Sequence, residues 1–227
     1  MPFTLDEGKR MAALAAADMI APGQRIGLGT GSTAAWFIRL LGERVNHGLA
    51  LTAVATSEAS EQLARDVGIP IIPFADAGEL DVTVDGADEL DRQLNLIKGG
   101  GGALLREKIV AYHSRQLIII ADDSKYTDVL GAFPLPVEII PFWWQATVRA
   151  VNQLGSEPQL RQRNGATFVT DNGNYILDCP FNRITDPAAL HNNLKQIPGV
   201  VETGLFLEMA QRAILGGAQG IRIITPQ

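Results

Sequence analysis

The sequence predicts an α/β fold in which a Rossmann-like, mostly parallel sheet flanked by helices carries an inserted smaller α+β domain of the split βαβ, ferredoxin-like kind. Three observations support this prediction. Strand-like and helix-like segments alternate through the first 130 residues, the order changes to β-α-β-β-α-β after Gly131, and two short strand-like runs follow around Gly216-Gly217. A chain of 227 residues can bury the core that one or two such domains need.

The first half of the chain provides the alternation. Lys9-Arg10 and the alanine-rich stretch after it imitate a signal peptide, but Asp18 interrupts the stretch and Pro22-Gly23 follows it, so an amphipathic helix is expected there. Because of Pro70 and Pro73, a strand-like run at residues 69–74 is expected at a sheet edge or in an irregular position. The other strands are predicted over residues 25–28, 51–55, 82–84 and 117–120. Helices are predicted over residues 34–41 and 57–67 and after the glycines at 99–102.

The second half predicts the inserted domain. Residues 133–136, with two prolines, are interpreted as a linker, followed by a strand at 137–140 and a helix at 143–154. Asp171-Asn172-Gly173 lies between two strand-like runs and predicts a hairpin that joins them. Asp186-Pro187 opens a further helix, a strand begins at Val200, and the run from 212 to 225 is expected to return to the first sheet. The predicted domains are therefore residues 1–130 with 206–227, and residues 131–205.

Composition and charge limit the classes of partner. Hydrophobic residues make up 46% of the chain and charged residues 19%, as in an ordinary globular protein. The formal net charge of −6 argues against a general nucleic-acid or anionic-membrane binder, although a local cluster of donors could still bind a phosphate. Cys179 and three scattered histidines offer no zinc-site spacing, so no metal site is predicted, although carboxylates could still hold a divalent ion without a recognisable spacing. No apolar run approaches the ~20 residues of a membrane span, and a cytoplasmic location is expected.

A glycine-rich turn between a predicted strand and a predicted helix is the first candidate binding element. Its residues Gly29, Thr30, Gly31, Ser32 and Thr33 match neither the dinucleotide-binding fingerprint nor the P-loop. Small residues nevertheless let the backbone approach a phosphate, hydroxyl groups can donate to it, and a helix N-terminus presents free N–H groups. The alternative is a tight turn in which Ser32 or Thr33 caps the helix.

Acidic and basic side chains around four consecutive glycines form the second candidate. Asp85 and Asp88 follow the strand at 82–84, and ligands of open α/β sheets bind at the carboxyl ends of the strands. Lys98 precedes the glycines, and Glu107 lies in the helix after them, on an apolar stripe that would desolvate its carboxylate and raise its pKa. Carboxylates, an ammonium group and free backbone donors together suit proton abstraction beside a carbonyl. Each of these residues also has a purely structural alternative. The two aspartates could be turn residues, Glu107 could stabilise the start of its helix, and Lys98 could be a surface lysine.

With these residues assembled, the chain resembles the type A ribose-5-phosphate isomerases over essentially its whole length. The resemblance rests on motifs in the same order: Gly29-Thr30-Gly31-Ser32-Thr33, Asp85-Gly86-Ala87-Asp88-Glu89, Lys98-Gly99-Gly100-Gly101, Arg106-Glu107-Lys108, residues 133–138, Thr170-Asp171-Asn172-Gly173-Asn174 and Pro198-Gly199-Val200-Val201. It implies interconversion of ribose 5-phosphate and ribulose 5-phosphate in the non-oxidative pentose phosphate pathway. It also implies that the enzyme needs no metal or organic cofactor and is a cytoplasmic homodimer.

The resemblance further implies roles for individual residues. The substrate site is expected to contain Thr30, Gly31, Ser32, Thr33, Asp85, Gly86, Ala87, Asp88, Lys98, Gly99, Gly100, Gly101 and Lys125, with Lys9 near the phosphate. In the expected cis-enediolate reaction, Asp85 assists ring opening, Glu107 moves a proton from C2 to C1, and Asp88 orients hydroxyl groups or shuttles their protons. Lys98 and the glycine N–H groups are expected to stabilise the enediolate oxygen. The residues expected to hold the phosphate are Thr30, Ser32 and Thr33, with Lys9 or Lys125.

Two other classes of protein use parts of the same pattern. A sugar-phosphate sensor needs the phosphate-binding turn but no base, and it would normally carry a helix-turn-helix, which the sequence does not predict ahead of the first strand. An acyl-CoA transferase would use a glutamate as nucleophile, but Glu107 lies within a helix behind glycines. The isomerase interpretation is therefore preferred.

Overall fold

Seven α-helices and fifteen strands lie within residues 3–226, the part of the chain that the computed structural model describes. The helices are α1 (Leu5–Ala17), α2 (Ser32–Asn46), α3 (Glu58–Asp66), α4 (Phe74–Ala77), α5 (Leu104–Tyr112), α6 (Trp144–Asn152) and α7 (Pro187–Lys195). The first seven strands are β1 (Arg25–Leu28), β2 (Thr52–Ala55), β3 (Val82–Asp85), β4 (Glu89–Leu90), β5 (Leu96–Ile97), β6 (Leu117–Asp122) and β7 (Leu135–Ile139). The other eight are β8 (Gln159–Leu160), β9 (Gln162–Arg163), β10 (Ala166–Thr167), β11 (Tyr175–Cys179), β12 (Val200–Thr203), β13 (Leu205–Phe206), β14 (Arg212–Gly217) and β15 (Gly220–Ile224).

A six-stranded sheet in the order β15-β14-β6-β3-β1-β2 organises the larger part of the molecule. Every neighbouring pair is parallel except β14 and β15. Alternate side chains of β6 lie on opposite faces of the sheet. Ile118 and Ile120 pack with α1 and α2, whereas Ile119 packs on the other face with β14 and the β4–β5 segment. Because both faces of the sheet are covered there, the central strand β6 is buried along its whole length and is apolar up to Asp122 at its carboxyl end. The predicted α/β class is confirmed.

A second, antiparallel sheet has the order β12-β7-β11-β8 and packs against α6 and α7. Its chain order of β7-α6-β8 and β11-α7-β12 is that of a split βαβ unit. All its strands lie within residues 131–205, which supports the proposed division into two domains; residues 1, 2 and 227 of that division lie outside the described part of the chain. No helix within residues 3–226 combines the length and the apolar character needed to cross a membrane.

Helix α1 approaches the six-stranded sheet through a pair of glycines. A Cβ atom added to Gly8 would lie 2.5 Å from the carbonyl oxygen of Gly216, and one added to Gly216 would lie 2.0 Å from the carbonyl oxygen of Gly8. Both distances are too short for any side chain, so the close contact between α1 and β14 depends on glycine at both positions. The contact sets the position of Lys9, the next residue of α1.

Two predictions about local structure are corrected. The runs on either side of Asp171-Asn172-Gly173 share only the backbone bond from the Thr170 N–H to the Asn174 carbonyl and form no strand ladder, while the side chains of Thr170, Asn172 and Asn174 donate to the buried carboxylate of Glu138 on β7. The hairpin that forms instead joins β9 to β10. Its two-residue turn has positive φ angles of 54° and 78° at Asn164 and Gly165. The Asn-Gly pair is a strong turn signal in the sequence, which the prediction overlooked.

The linker prediction is the other correction, whereas the edge or irregular position expected for residues 69–74 is confirmed beside β2, the last strand of the sheet. Leu135 and Pro136 belong to β7, where Pro136 lies opposite Asp178 and its carbonyl accepts from the Gly204 N–H. Residues 69–74 form only an isolated bridge, between Ile71 and Ala53. Pro70 and Pro73 have no N–H groups to donate to a longer ladder.

Candidate active site

A cavity of about 120 Å³ opens at the carboxyl ends of β1, β3 and β6. Three segments that follow these strands reach it, together with α1, the glycine run and the start of α5. The residues that line the cavity are Lys9, Thr30, Gly31, Ser32, Thr33, Gly86, Ala87, Asp88, Lys98, Gly99, Gly100, Gly101, Glu107 and Lys125. Of the predicted site residues, Asp85 alone is absent from this lining; its side chain is buried behind the wall.

One end of the cavity is formed by the N-terminus of α2. Gly31 is the N-cap residue, with a φ of 107° that favours glycine, and no side chain bonds the cap. The alternative in which Ser32 or Thr33 caps this helix is therefore wrong. The first N–H groups of a helix have no partner within it, so this end presents donors and a positive dipole to an anion. Lys9 and Lys125 are half-buried at the same cavity and pair with no carboxylate in residues 3–226.

Hydroxyl groups from a neighbouring segment fix the turn that carries Thr30. The Thr30 hydroxyl lies 2.7 Å from that of Thr56 and 2.8 Å from that of Ser57. Ser60 donates to the Gly29 carbonyl at 2.7 Å. Because the Thr30 hydroxyl is held in this cluster, its part in the site is to anchor the turn. The sequence analysis missed the cluster, although Thr56 and Ser57 follow β2 at the same sheet edge and Ser57 caps α3.

A short hairpin brings Lys98 back to the acids that precede it in the chain. Strands β4 and β5 pair antiparallel, and Asp91 closes the loop between them by accepting from the N–H groups of Gln93 and Asn95 at 2.9 Å each. The reversal places the Lys98 ammonium beside Gly86, whose carbonyl accepts from Nζ at 2.6 Å. The hairpin therefore brings Lys98 next to Gly86 and Asp85, which lie 12 or more positions earlier in the chain. No strong turn signal in the sequence predicted this hairpin.

Lys98 lies between two buried carboxyl groups. Its Nζ is 3.0 Å from Asp85 Oδ2 and 3.2 Å from Glu107 Oε1, and all three side chains are less than 5% exposed. Asp85 Oδ1 also accepts from the Thr30 and Gly86 N–H groups, at 3.0 Å and 2.7 Å. The Lys98 ammonium group thus connects three elements: the glycine-rich turn that contains Thr30, strand β3 of the six-stranded sheet, and α5.

Burial sets the proton affinities in this cluster. Burial raises the pKa of Glu107 to about 8, because the ionised carboxylate is desolvated and the opposing effect of the Lys98 ammonium is smaller. Burial likewise raises the pKa of Asp85. Burial opposes the charged form of Lys98, but the Asp85 and Glu107 carboxylates outweigh it and raise the pKa of the lysine. One ammonium cannot neutralise two buried carboxylates, so the cluster keeps a shared proton until the pH approaches 8.

The glycine run forms the wall between Asp88 and Glu107. Gly99 and Gly102 have φ angles of 107° and 93°, and the Gly102 N–H donates to the Gly99 carbonyl at 3.0 Å, so the run makes a tight turn. The Gly100 N–H donates to Asp88 Oδ2 at 2.7 Å. On the outer side, the Arg161 guanidinium donates to the Gly99 carbonyl at 2.7 Å. The sequence analysis did not identify Arg161; the overlooked Asn164-Gly165 turn signal is what would have placed it on a hairpin.

Gly29→Ala is expected to lower the free energy of unfolding by about 1–3 kcal/mol, as overpacking does. The added Cβ would lie 2.1 Å from Asp85 Oδ1 and 2.6 Å from the Asp85 Cα, and a backbone atom cannot move aside cheaply. Urea unfolding measures the change. Gly48→Ala is the control, since its positive φ of 99° is strained for alanine but nothing lies within 4 Å of the new atom. A Gly29→Ala protein as stable as the wild type would contradict this description of the turn.

Among residues 3–226, no three His, Cys, Asp or Glu side chains are grouped so that they could hold a metal ion. The cavity itself has two chemically different ends. One end offers N–H groups and ammonium groups suited to a phosphate. The other end offers a buried carboxyl group beside an ammonium group and a glycine backbone, the set expected for moving a proton next to a carbonyl.

Comparison with known proteins points to one family. The family model for ribose 5-phosphate isomerase A (phosphoriboisomerase A) matches residues 52–220. The ribose-5-phosphate isomerase A of Bacillus mycoides (strain KBAB4) is 53% identical over 215 residues, which are 94% of this chain and 97% of that protein.

Solved structures agree with this comparison. A D-ribose-5-phosphate isomerase in complex with phospho-erythronic acid superposes with a TM-score of 0.95 at 40% identity, covering 98% of this chain and 100% of the other. Ribose 5-phosphate isomerase A from Neisseria gonorrhoeae gives a TM-score of 0.92 at 39% identity, covering 99% and 98%.

Proposed function

The chain belongs to the ribose 5-phosphate isomerase A family, and from this premise we propose that it interconverts D-ribose 5-phosphate and D-ribulose 5-phosphate through a cis-enediolate, with Glu107 as the general base. The enzyme is an aldose–ketose isomerase. The observation that carries the proposal is the buried Glu107–Lys98–Asp85 cluster at one end of a cavity whose other end has free helix N–H groups and two lysines.

The phosphate is proposed to bind at the N-terminus of α2. The N–H groups of Ser32 and Thr33 and the Ser32 hydroxyl would donate to its oxygens, and Lys9 and Lys125 would balance its charge. Thr30 supports this site by anchoring the turn. Binding energy from the phosphate end holds the sugar carbons against Glu107, so the proton transfer becomes effectively intramolecular.

Glu107 is proposed to take the proton from C2 and return it to C1. Lys98 and the N–H groups of the glycine run would stabilise the negative charge that develops on the enediolate oxygen, as preorganised donors do in a water-poor site.

The assignment for ring opening differs from the expectation drawn from the sequence. Asp88 lines the cavity, whereas both Asp85 oxygens face protein groups: Oδ1 accepts from two backbone N–H groups and Oδ2 faces Lys98. We therefore assign proton movement at the ring oxygens to Asp88. Asp85 would hold Lys98 and the Thr30 turn in place.

An acid such as phospho-erythronic acid, with a phosphate at one end and a carboxylate at the other, resembles the charge distribution of the enediolate. A related isomerase has been solved in complex with it. We propose that this chain binds it with the carboxylate beside Lys98, which makes it a probe for the chemical end of the cavity.

Mixing the protein with ribose 5-phosphate and following the appearance of ribulose 5-phosphate tests the proposed function. The absence of turnover by folded wild-type protein would overturn it. We also propose a role in the non-oxidative pentose phosphate pathway and a cytoplasmic homodimer, as the sequence resemblance implies. Light scattering of the purified protein tests the dimer, since a monomeric mass at working concentration would contradict it.

The acid limb of the kcat/KM profile is expected to have its midpoint close to 8, the pKa to which burial raises Glu107, and well above the ordinary 4.5. The base must be a carboxylate to accept the C2 proton, so activity rises with pH through this midpoint and levels off above it. The groups that face Glu107 are Lys98, Asp85 and Asp88. The second ionisation of a phosphate, near pH 6, is a separate event, which a phosphorus NMR titration of the free substrate locates. A profile that follows only the substrate phosphate would contradict the raised pKa.

A further inference from the structure

Arg161 lies outside the cavity but holds the loop that forms one of its walls. Its guanidinium donates to the carbonyl oxygens of Gly99, at 2.7 Å, and Gly100, at 3.3 Å. On its other side it pairs with Asp178, with Nε–Oδ2 at 2.9 Å and Nη2–Oδ1 at 2.5 Å. Arg161 lies between β8 and β9, and Asp178 belongs to β11, so the four-stranded sheet supplies both residues.

The two carbonyl contacts determine where the N–H groups of the glycine run point. The C=O and N–H of a trans peptide point in opposite directions. With the Gly99 carbonyl turned toward Arg161, the Gly100 N–H points to the cavity side and donates to Asp88 at 2.7 Å. With the Gly100 carbonyl turned the same way, the Gly101 N–H also points to the cavity, which Gly101 lines. Within residues 3–226, no group accepts a hydrogen bond from the Gly101 N–H.

Glycine does not maintain this orientation by itself. Without a Cβ, it reaches both signs of φ with similar ease, and four in succession lose much conformational entropy when they are ordered. If the peptide between Gly100 and Gly101 turned over, its carbonyl oxygen would face the cavity and oppose a developing negative charge. The planar guanidinium has enough donors to hold two carbonyls and one carboxylate together, which a lysine ammonium cannot do in the same geometry.

We propose that Arg161 is a positioning residue for the isomerisation, which keeps the Gly100 and Gly101 N–H groups aimed into the cavity while Asp178 keeps the guanidinium in place. The proposal rests on the proposed function. Arg161 touches no substrate atom; it acts through the orientation of the glycine peptides.

Kinetics of Arg161→Gln and Arg161→Lys with ribose 5-phosphate test the proposal. Arg161→Gln is expected to lower kcat by about 10- to 100-fold, the order of loss seen when preorganised donors are misaligned. KM should change much less, because the phosphate end of the cavity is untouched. Arg161→Lys should give an intermediate kcat. The matched control is Arg115→Ala, which removes an exposed arginine paired with Glu79 and Asp81 and is expected to leave kcat unchanged.

A binding measurement separates positioning from a general loss of structure. Calorimetry with phospho-erythronic acid should show weaker binding to Arg161→Gln, by about tenfold, while inorganic phosphate binds as it does to the wild type. If Arg161 only supported the fold, Arg161→Gln would lower the melting temperature and weaken the binding of both ligands. That result would overturn the proposal.

The kinetic outcomes are equally decisive. The proposal fails if folded Arg161→Gln and Arg161→Lys turn over substrate as fast as Arg115→Ala. If Arg161→Gln does not fold, Arg161→Lys and Asp178→Asn decide instead, and normal kcat in both overturns it. If neither the wild type nor Arg115→Ala isomerises ribose 5-phosphate, the proposed function fails, and the calorimetry still tests whether Arg161 orients the glycine run.

Discussion

Replacement of Glu107 by glutamine is expected to lower kcat by about 10³-fold, inside the range of about 10²–10⁴ that a positioned general base contributes. Glutamine has the shape of glutamate, and its Oε1 can still accept from Lys98 Nζ, which lies 3.2 Å from the present carboxylate. The amide, however, cannot take the C2 proton. The KM for ribose 5-phosphate should stay within a small factor of the wild-type value, because the phosphate end of the cavity is unchanged.

Solvent exchange gives a direct measurement of the same step. In D₂O, the wild type is expected to place deuterium at C2 of ribose 5-phosphate and at C1 of ribulose 5-phosphate, which proton NMR detects. Glu107→Gln should show neither signal on the same timescale. Arg115→Ala serves as the control for handling and stability. Near-normal turnover or exchange by the glutamine variant would exclude Glu107 as the base and leave the family assignment intact.

Lys98→Met is expected to lower the free energy of unfolding by about 3–5 kcal/mol above pH 8, the usual effect of leaving buried charges without a partner. The ammonium faces both Asp85 and Glu107 in a site that is 2% exposed at the lysine. Loss of the cation raises the pKa of both carboxyl groups further in the folded state. The variant should therefore be less destabilised at pH 5 than at pH 8.5, because protonation of the two acids is favourable at the lower pH. The unsatisfied Gly86 carbonyl adds a contribution that does not depend on pH.

Urea unfolding at pH 5 and pH 8.5 measures both the pH-dependent and the pH-independent loss of stability. Lys125→Met is the matched control: it removes a half-buried ammonium from the same cavity without leaving a buried carboxylate. Its effect on stability should be within about 0.5 kcal/mol of zero, as for most substitutions of this kind. Adding Glu107→Gln to Lys98→Met should recover part of the stability at pH 8.5, because only Asp85 then remains charged. Equal destabilisation by Lys98→Met at the two pH values would contradict the shared-proton cluster.

Local signals in the sequence were enough to predict most of the fold and much of the cavity lining. Thr30 and Asp88 follow strands of the parallel sheet, and Glu107 lies in the helix after the glycines, so strand ends and the glycine run were sufficient to bring these three together, whereas Lys9 and Lys125 came from the family resemblance. The roles of these residues stay predictions until the variants are measured.

Contacts that depend on tertiary structure were beyond sequence reasoning. The turn at Asp171-Asn172-Gly173 exists, but Glu138, more than 30 positions earlier, binds its side chains, and the flanking runs form no strand ladder. Arg161 reaches Gly99 across 62 positions, and nothing in its immediate neighbours distinguishes it from a surface arginine. The location of Asp85 behind the cavity wall was likewise not predictable, because it depends on how Lys98 returns through the β4–β5 hairpin.

The glycine-to-glycine contact between α1 and β14 has a consequence for the order of assembly. Gly8 and Gly216 are separated by nearly the whole chain, so this contact closes a very long loop and belongs among the slowest to form. Until β14 lies beside β6, α1 lacks this contact, although its buried alanines can already pack on α2. We therefore expect Lys9 to reach its final position in the cavity after the strand ends that carry Thr30 and Asp88 are in place.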